Sequence, residues 1–283
     1  MDMIFTNPPK ETPNGVSHKT FFSSLVNQDV GYNIYLPPDY ASSDKKYPVM
    51  YWLHGSGGNE SSDIWVVERI KEYYEANANA AQMIVVFVNG AGTSYYLDAP
   101  DGSLPVESII INELLPHIDK TYRTVQARIG RVIEGFSMGG HGALLYAVKY
   151  PELFCSAVSY SGAFVGGKVR ASDGGFLKWE DVSNLFPEWV EKYYCSNPVF
   201  VEQAMPYYWI SKNAVAIRSD VKIRLTCGAL DFLFDRNEKM HAYLSERGIS
   251  HEYEIVPEVD HSIGKMYEIC GERGLRFHDN NIL

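Results

Sequence analysis

Long apolar runs are missing from this 283-residue chain. No stretch approaches the ~18 consecutive apolar residues of a membrane-spanning helix, so no membrane partner is expected. Runs of like charge are missing too. Lys and Arg number 25 against 35 Asp and Glu, for a formal net charge of −10, and this balance argues against nucleic acid as a partner. An acidic surface also repels anions at long range, with salt screening that field beyond roughly 8–10 Å. A neutral substrate fits better. Cysteine is scarce: Cys155, Cys195, Cys227 and Cys270 form no CxxC pair, which excludes a redox dithiol or zinc ribbon and leaves ordinary reduced thiols. The chain has no HExxH, no His pair at i,i+4, no GxGxxG opening a helix after the first parallel strand and no phosphate-loop Gly-Lys-Ser/Thr ending. Neither a metal nor a cofactor is therefore expected. The opening MDMIFTNPPKETPNG has no basic start and no apolar core, so the sequence predicts no signal peptide and a cytoplasmic location.

What is present is a core-forming chain. At 46% hydrophobic content, residues 1–283 are expected to form one α/β domain. Residues 16–36 read as two β-runs joined around NQDVG, an antiparallel hairpin. From residue 48 the pattern alternates between short β-rich runs and helical stretches, the signature of a mostly parallel sheet. The strands are PVMYWLHG, MIVVFVNG, ARIGRVIEGF, CSAVSYSG, VKIRLTCGALD and HEYEIVPEVD. Several are nearly continuous apolar runs, as strands covered on both faces should be. Val106, Ile110, Ile111, Leu114, Leu115 and Ile118 fall on one helical stripe, and Ala143, Leu144, Ala147 and Val148 on another. Residues 163–213, after the sixth strand, break the rhythm with Trp179, Phe186, Trp189, Tyr193, Tyr194, Phe200, Tyr207, Tyr208 and Trp209. This stretch is too long for a simple connection and too aromatic for disorder, so it reads as a lid or pocket wall.

Chemistry in such a sheet belongs just past the carboxyl ends of the strands. There, Gly135-Phe136-Ser137-Met138-Gly139 spells G-x-S-x-G between a strand and a helix. A serine on so sharp a turn is lifted clear of the backbone, and its neighbours two positions away must be small for the chain to pass. Ser137 is the candidate nucleophile; the competing reading is a plain helix cap. A serine needs a base, and the base needs an orienting carboxylate. Asp231 closes a strand and is the best-placed acid, with Asp235 and Glu258 as alternatives. Of the downstream histidines, His241 lies in a helical stretch, His251 opens a strand, and His278 falls in the polar tail. His261 alone closes a strand, and histidine titrates in the range that proton shuttling needs. An oxyanion site is predicted from the Ser56 N–H in YWLHGSGGNE and the Met138 N–H after the serine. His54 and His141 read as hydrogen-bonded structural residues.

Taken together, YNIYLPPDY, KYPVMYWLHGSGG, LDAPDG, NELLPHIDKTYRT, GFSMGGHGALLYAVKYPELF, CGALDFLF and VDHS, spread over residues 28–262, resemble the esterase-D or putative-esterase branch of the α/β-hydrolases. That family includes feruloyl and acetyl-xylan esterases, tributyrin esterases, S-formylglutathione hydrolases and mycolyltransferases. The resemblance implies an α/β-hydrolase fold, the triad Ser137, Asp231 and His261, and oxyanion donors at Ser56 and Met138. It implies a carboxylesterase acting on short acyl or hydroxycinnamoyl esters of carbohydrates, a small-molecule or oligosaccharide substrate, and no cofactor. An acyltransferase to a sugar hydroxyl and an S-formylglutathione hydrolase-like thioesterase are the alternatives. Against the thioesterase, SGGNE stands where those hydrolases carry a cysteine-containing stretch.

Overall fold

The computed structural model describes residues 5–164 and 202–282. The apolar runs of the sequence become its strands: β1 (Val16–Ser23), β2 (Gln28–Tyr35), β3 (Val49–Leu53), β4 (Ile84–Val88), β5 (Arg131–Phe136), β6 (Ser156–Tyr160), β7 (Lys222–Gly228) and β8 (His251–Val256). They form one sheet in the order β1-β2-β4-β3-β5-β6-β7-β8. β1, β2 and β4 pair antiparallel, and every pairing from β4 onward through β3 to β8 is parallel. This is the α/β-hydrolase arrangement that the sequence predicts.

Alternation within β3 shows how two layers cover the sheet. Val49, Tyr51 and Leu53 point into one buried cluster, and Met50 and Trp52 into the other. Strand β3 is buried along its whole length because both of its faces are covered. Helices α1 (Val66–Ala76) and α8 (Ile263–Asp279) pack on the Trp52 face. On the other face lie α2 (Val106–Ser108), α3 (Leu115–Thr121), α4 (Met138–Lys149), α5 (Pro206–Lys212), α6 (Ala214–Asp220) and α7 (Phe234–Glu246). Residues Met138 to Val148 of α4 are all buried, which fits a helix with little polar character lying against the middle of the sheet. Among the described residues no helix is long and apolar enough to cross a membrane.

Four details differ from the sequence reading. The hairpin turn sits at residues 24–27, so only the Asn of NQDVG lies in it, with Asn27 supplying the left-handed residue at φ 51°. Gly31 is inside β2, where a Cβ would lie 2.6 Å from Glu60 Oε1. The stripe at 106–118 is not one α-helix, because a π-helical segment, Ile109–Leu114, separates α2 from α3. The N–H of Leu115 reaches back five residues to the Ile110 carbonyl. Such widening suits Pro116, which lacks an N–H and would crowd the fourth carbonyl before it in a regular helix. It also brings Ile109, Ile110, Leu114 and Leu115 to the buried side together, leaving Ile111 half-buried.

His278 is the third, since it lies in the last turn of α8 rather than in a polar tail. Fully buried, it sits 3.2 Å from the buried carboxylate of Glu134 and 2.5 Å from Ser156 Oγ. The fourth concerns the 163–213 stretch. Tyr207 and Ile210 of α5 are buried in the core, and Asn213 Nδ2 donates to the Val148 carbonyl at the end of α4. Residues 165–201, including Trp179, Phe186, Trp189, Tyr193, Tyr194 and Phe200, lie outside the described residues. So does Cys195, while Cys155, Cys227 and Cys270 are buried free thiols.

Candidate active site

Backbone strain collects at the carboxyl edge of the sheet. Ala91 follows β4, Ser137 follows β5, Ser161 follows β6 and Glu258 follows β8, all at positive φ without being glycine. Such conformations cost about 1–3 kcal/mol each and persist where the surroundings enforce them. At Ser137 (φ 58°, ψ −115°) the enforcement is visible. Its N–H donates to the Tyr160 carbonyl at 2.9 Å, and its own carbonyl accepts from Ala163 and His141. The flanking glycines are required by crowding: a Cβ on Gly135 would lie 2.3 Å from the Gly139 carbonyl oxygen.

Three side chains converge on that turn. Ser137 Oγ lies 2.9 Å from His261 Nε2, and His261 Nδ1 lies 2.8 Å from Asp231 Oδ2. Burial alone pushes the Asp231 carboxyl upward, but hydrogen bonds from His261, Ser161 and the Leu233 N–H outweigh it and hold the group below the usual carboxylate range. An ionised carboxylate only accepts, so His261 Nδ1 carries the proton and Nε2 presents its lone pair to the serine hydroxyl. The Asp231 side chain is fully shielded, whereas that of His261 is 20% exposed. Phe136 and Phe232 flank the imidazole, with ring centroids 4.6 and 4.5 Å away.

Beside Ser137 runs the Gly55-to-Gly58 loop. A Cβ on Gly55 would lie 3.6 Å from that of Ser137. His54 anchors this loop: its Nε2 accepts from the Gly90 N–H at 2.9 Å, so its Nδ1–H donates to the Gly55 carbonyl at 2.7 Å. Burial pushes the His54 imidazole down to about 4, keeping it in this neutral form. With the Gly55 carbonyl turned toward His54, the planar peptide directs the Ser56 N–H the opposite way. The Ser56 hydroxyl pairs with Thr93 Oγ1 at 2.8 Å. The N–H of Met138, first in α4, belongs to the helix start that has no intrahelical acceptor.

A carboxylate outside the sequence motifs supports the loop. Buried Glu60 accepts from the Asn7 N–H and Nδ2 and from Asn89 Nδ2, at 2.8, 2.9 and 2.8 Å. Asn89 directly precedes the Gly90 that donates to His54. In the sequence it is only an acid next to HGSGGN, because its partners come from the N-terminus and from the residue just past β4.

The other candidates lie apart from this cluster. Asp235 is exposed on the first turn of α7, and Glu258 is exposed between β8 and α8. His241 and His251 hydrogen-bond to each other at 2.8 Å. His141 is buried edge-on against Tyr95, 5.3 Å between centroids. Among the described residues no group of three or more His, Cys, Asp or Glu side chains is placed to hold a metal ion.

A family model described as putative esterase matches residues 23–264. The chain belongs to that family. An esterase of Mycobacterium tuberculosis is 33% identical over 167 residues, 58% of this chain and 35% of that protein. An endo-1,4-beta-xylanase/feruloyl esterase of Xylanibacter ruminicola is 31% identical over 166 residues, 54% of this chain and 22% of that protein. This putative esterase thus spans about a third or less of the length of these two curated relatives. Among solved structures, a ferulic acid esterase superposes with TM-score 0.75 at 24% identity, covering 94% of this chain and 98% of that one. At that identity the likeness establishes the fold.

Proposed function

We propose that this putative esterase is a serine carboxylesterase of one domain that hydrolyses short acyl or hydroxycinnamoyl esters of carbohydrates through an acyl-enzyme. The observation that carries the reading is the unbroken hydrogen-bonded chain from Asp231 through His261 to Ser137 at the strained turn. The ester class follows the feruloyl esterase named among the relatives.

In this reading His261 Nε2 takes the hydroxyl proton as Ser137 Oγ attacks the ester carbonyl carbon. The carbonyl π electrons move to oxygen, and the Ser56 and Met138 N–H groups stabilise the oxyanion, each donor worth roughly 3–4 kcal/mol of barrier. Asp231 holds the imidazole in the required tautomer and stabilises the imidazolium. Collapse of the tetrahedral species breaks the bond to the alcohol oxygen, which receives the proton from Nε2. Water then repeats the sequence on the Ser137 ester, releasing the acid and restoring the hydroxyl. No cofactor enters these steps.

The test is hydrolysis of p-nitrophenyl acetate and methyl ferulate by the wild type and by Ser137→Ala. Turnover by the wild type that the substitution abolishes supports the reading, and equal rates for the two proteins end it.

A further inference from the structure

Asp231 is buried in the turn that follows β7, and the residues on either side of it are exposed. Both are large and apolar: Leu230 is 68% exposed and Phe232 is 74% exposed. An exposed leucine or phenylalanine by itself requires no explanation. Phe232 is distinguished by where it stands, since its ring packs 4.5 Å from the His261 imidazole at an interplanar angle of 55°. Phe136 already covers the imidazole from the protein side, 4.6 Å away. Holding the imidazole does not account for leaving so much of a second aromatic ring in water.

The reaction chemistry supplies the missing constraint. The group that protonates the departing alcohol must come within about 2.6–3.2 Å of its oxygen. Here that group is His261 Nε2, which faces Ser137 Oγ. A substituent carried by the departing oxygen therefore extends from the Nε2 edge of the imidazole, whose flank Phe232 occupies. The oxyanion donors and the acyl group lie on the other bonds of the reacting carbon. A ring with one flat C–H face, attached directly to the departing oxygen, is the right size and chemistry to lie on an exposed phenyl ring.

We infer that Phe232 is the subsite for the alcohol half of the ester and stacks against a sugar ring there. This rests on the esterase reading given above and adds a specificity-determining residue to it. The position is independent of the acyl half, so the residue selects among alcohols without selecting among acids.

The test holds the acid constant and varies the alcohol. Methyl ferulate and a feruloyl ester of an arabinose-containing oligosaccharide are compared with the wild type, Phe232→Ala and Phe232→Trp. The readout is kcat/KM for the sugar ester divided by that for the methyl ester. Aromatic stacking contributes about 0.5–1.5 kcal/mol, which corresponds to roughly 2- to 12-fold. Phe232→Ala is expected to lower the ratio by that factor, and Phe232→Trp to keep or raise it. An unchanged ratio in Phe232→Ala, with both esters slowed equally, would reduce Phe232 to a prop for His261 and overturn the inference while leaving the esterase reading intact. If the wild type cleaves neither ester, the esterase reading falls and the inference with it.

Discussion

Gly139 lies so close to Leu53 that an added Cβ would sit 1.9 Å from the Leu53 carbonyl oxygen. The first turn of α4 thereby rests directly on the end of β3, which sets Ser137 beside the Gly55 loop. Backbone presses on backbone here, so no side chain can rotate to relieve the contact. Overpacking a core costs about 1–3 kcal/mol even where side chains yield. Gly139→Ala is expected to exceed that range or to prevent folding. Gly264→Ala, near the start of α8 with its nearest atom at 3.9 Å, is expected to be neutral or stabilising by up to about 1 kcal/mol. Denaturant midpoints of the two variants check the contrast.

Asp231→Asn tests the orienting carboxylate. The amide keeps an oxygen for the Leu233 N–H, which donates to Asp231 Oδ1 at 2.7 Å, so the fold should survive. It removes the charge and can favour the wrong imidazole tautomer, a change that costs about 10⁴ in kcat in serine hydrolases. The expected result is a fall in kcat of that order with an unaltered circular dichroism spectrum. Loss below tenfold would remove Asp231 from the triad.

Two buried histidines set a pH dependence of stability. Burial pushes His54 and His141 each down to about 4 from an ordinary 6.5. Their folded values are depressed, so the unfolded chain binds the extra protons between pH 6.5 and 4. The stability that goes with their neutral forms is full above about 6.5 and is lost as the pH falls through this window. Each contributes a slope approaching ~1.4 kcal/mol per pH unit. Chemical denaturation from pH 7 to 5 should show decreasing stability, with a shallower slope in His141→Phe. A flat profile would contradict the burial of both rings.

Much of this was legible in the sequence, because strands buried on both faces must be apolar throughout. Val49–Leu53 and Ile84–Val88 declare themselves on that ground. Ser137, Asp231 and His261 were readable for a related reason, since each stands just after a strand, where an α/β sheet exposes its chemistry. Long-range partnership was not legible. Glu60 looks like one more charge in a loop, and only the fold brings Asn7 and Asn89 to its oxygens. The π-helical segment was hidden too, because i,i+4 periodicity in Ile110, Leu114 and Ile118 matches an α-helix and the five-residue step depends on how Pro116 packs.

Glu60→Gln follows from that partnership. The amide would set its own N–H groups against donors that now meet a carboxylate, leaving buried groups unsatisfied at a cost of about 1–3 kcal/mol. A lower melting temperature is expected together with a reduced kcat, because Asn89 and Gly90 fix His54 and so the Gly55–Ser56 peptide. Thermal melts and steady-state kinetics on one preparation read both effects.

The most direct test of the central claim, that Ser137 is the nucleophile, is labelling with a fluorophosphonate probe followed by mass spectrometry of the digested protein. One adduct is expected, on the peptide carrying Ser137, absent in Ser137→Ala and slow to form in His261→Ala. Labelling that persists at full rate in Ser137→Ala, or a folded wild type that takes no label, would contradict it.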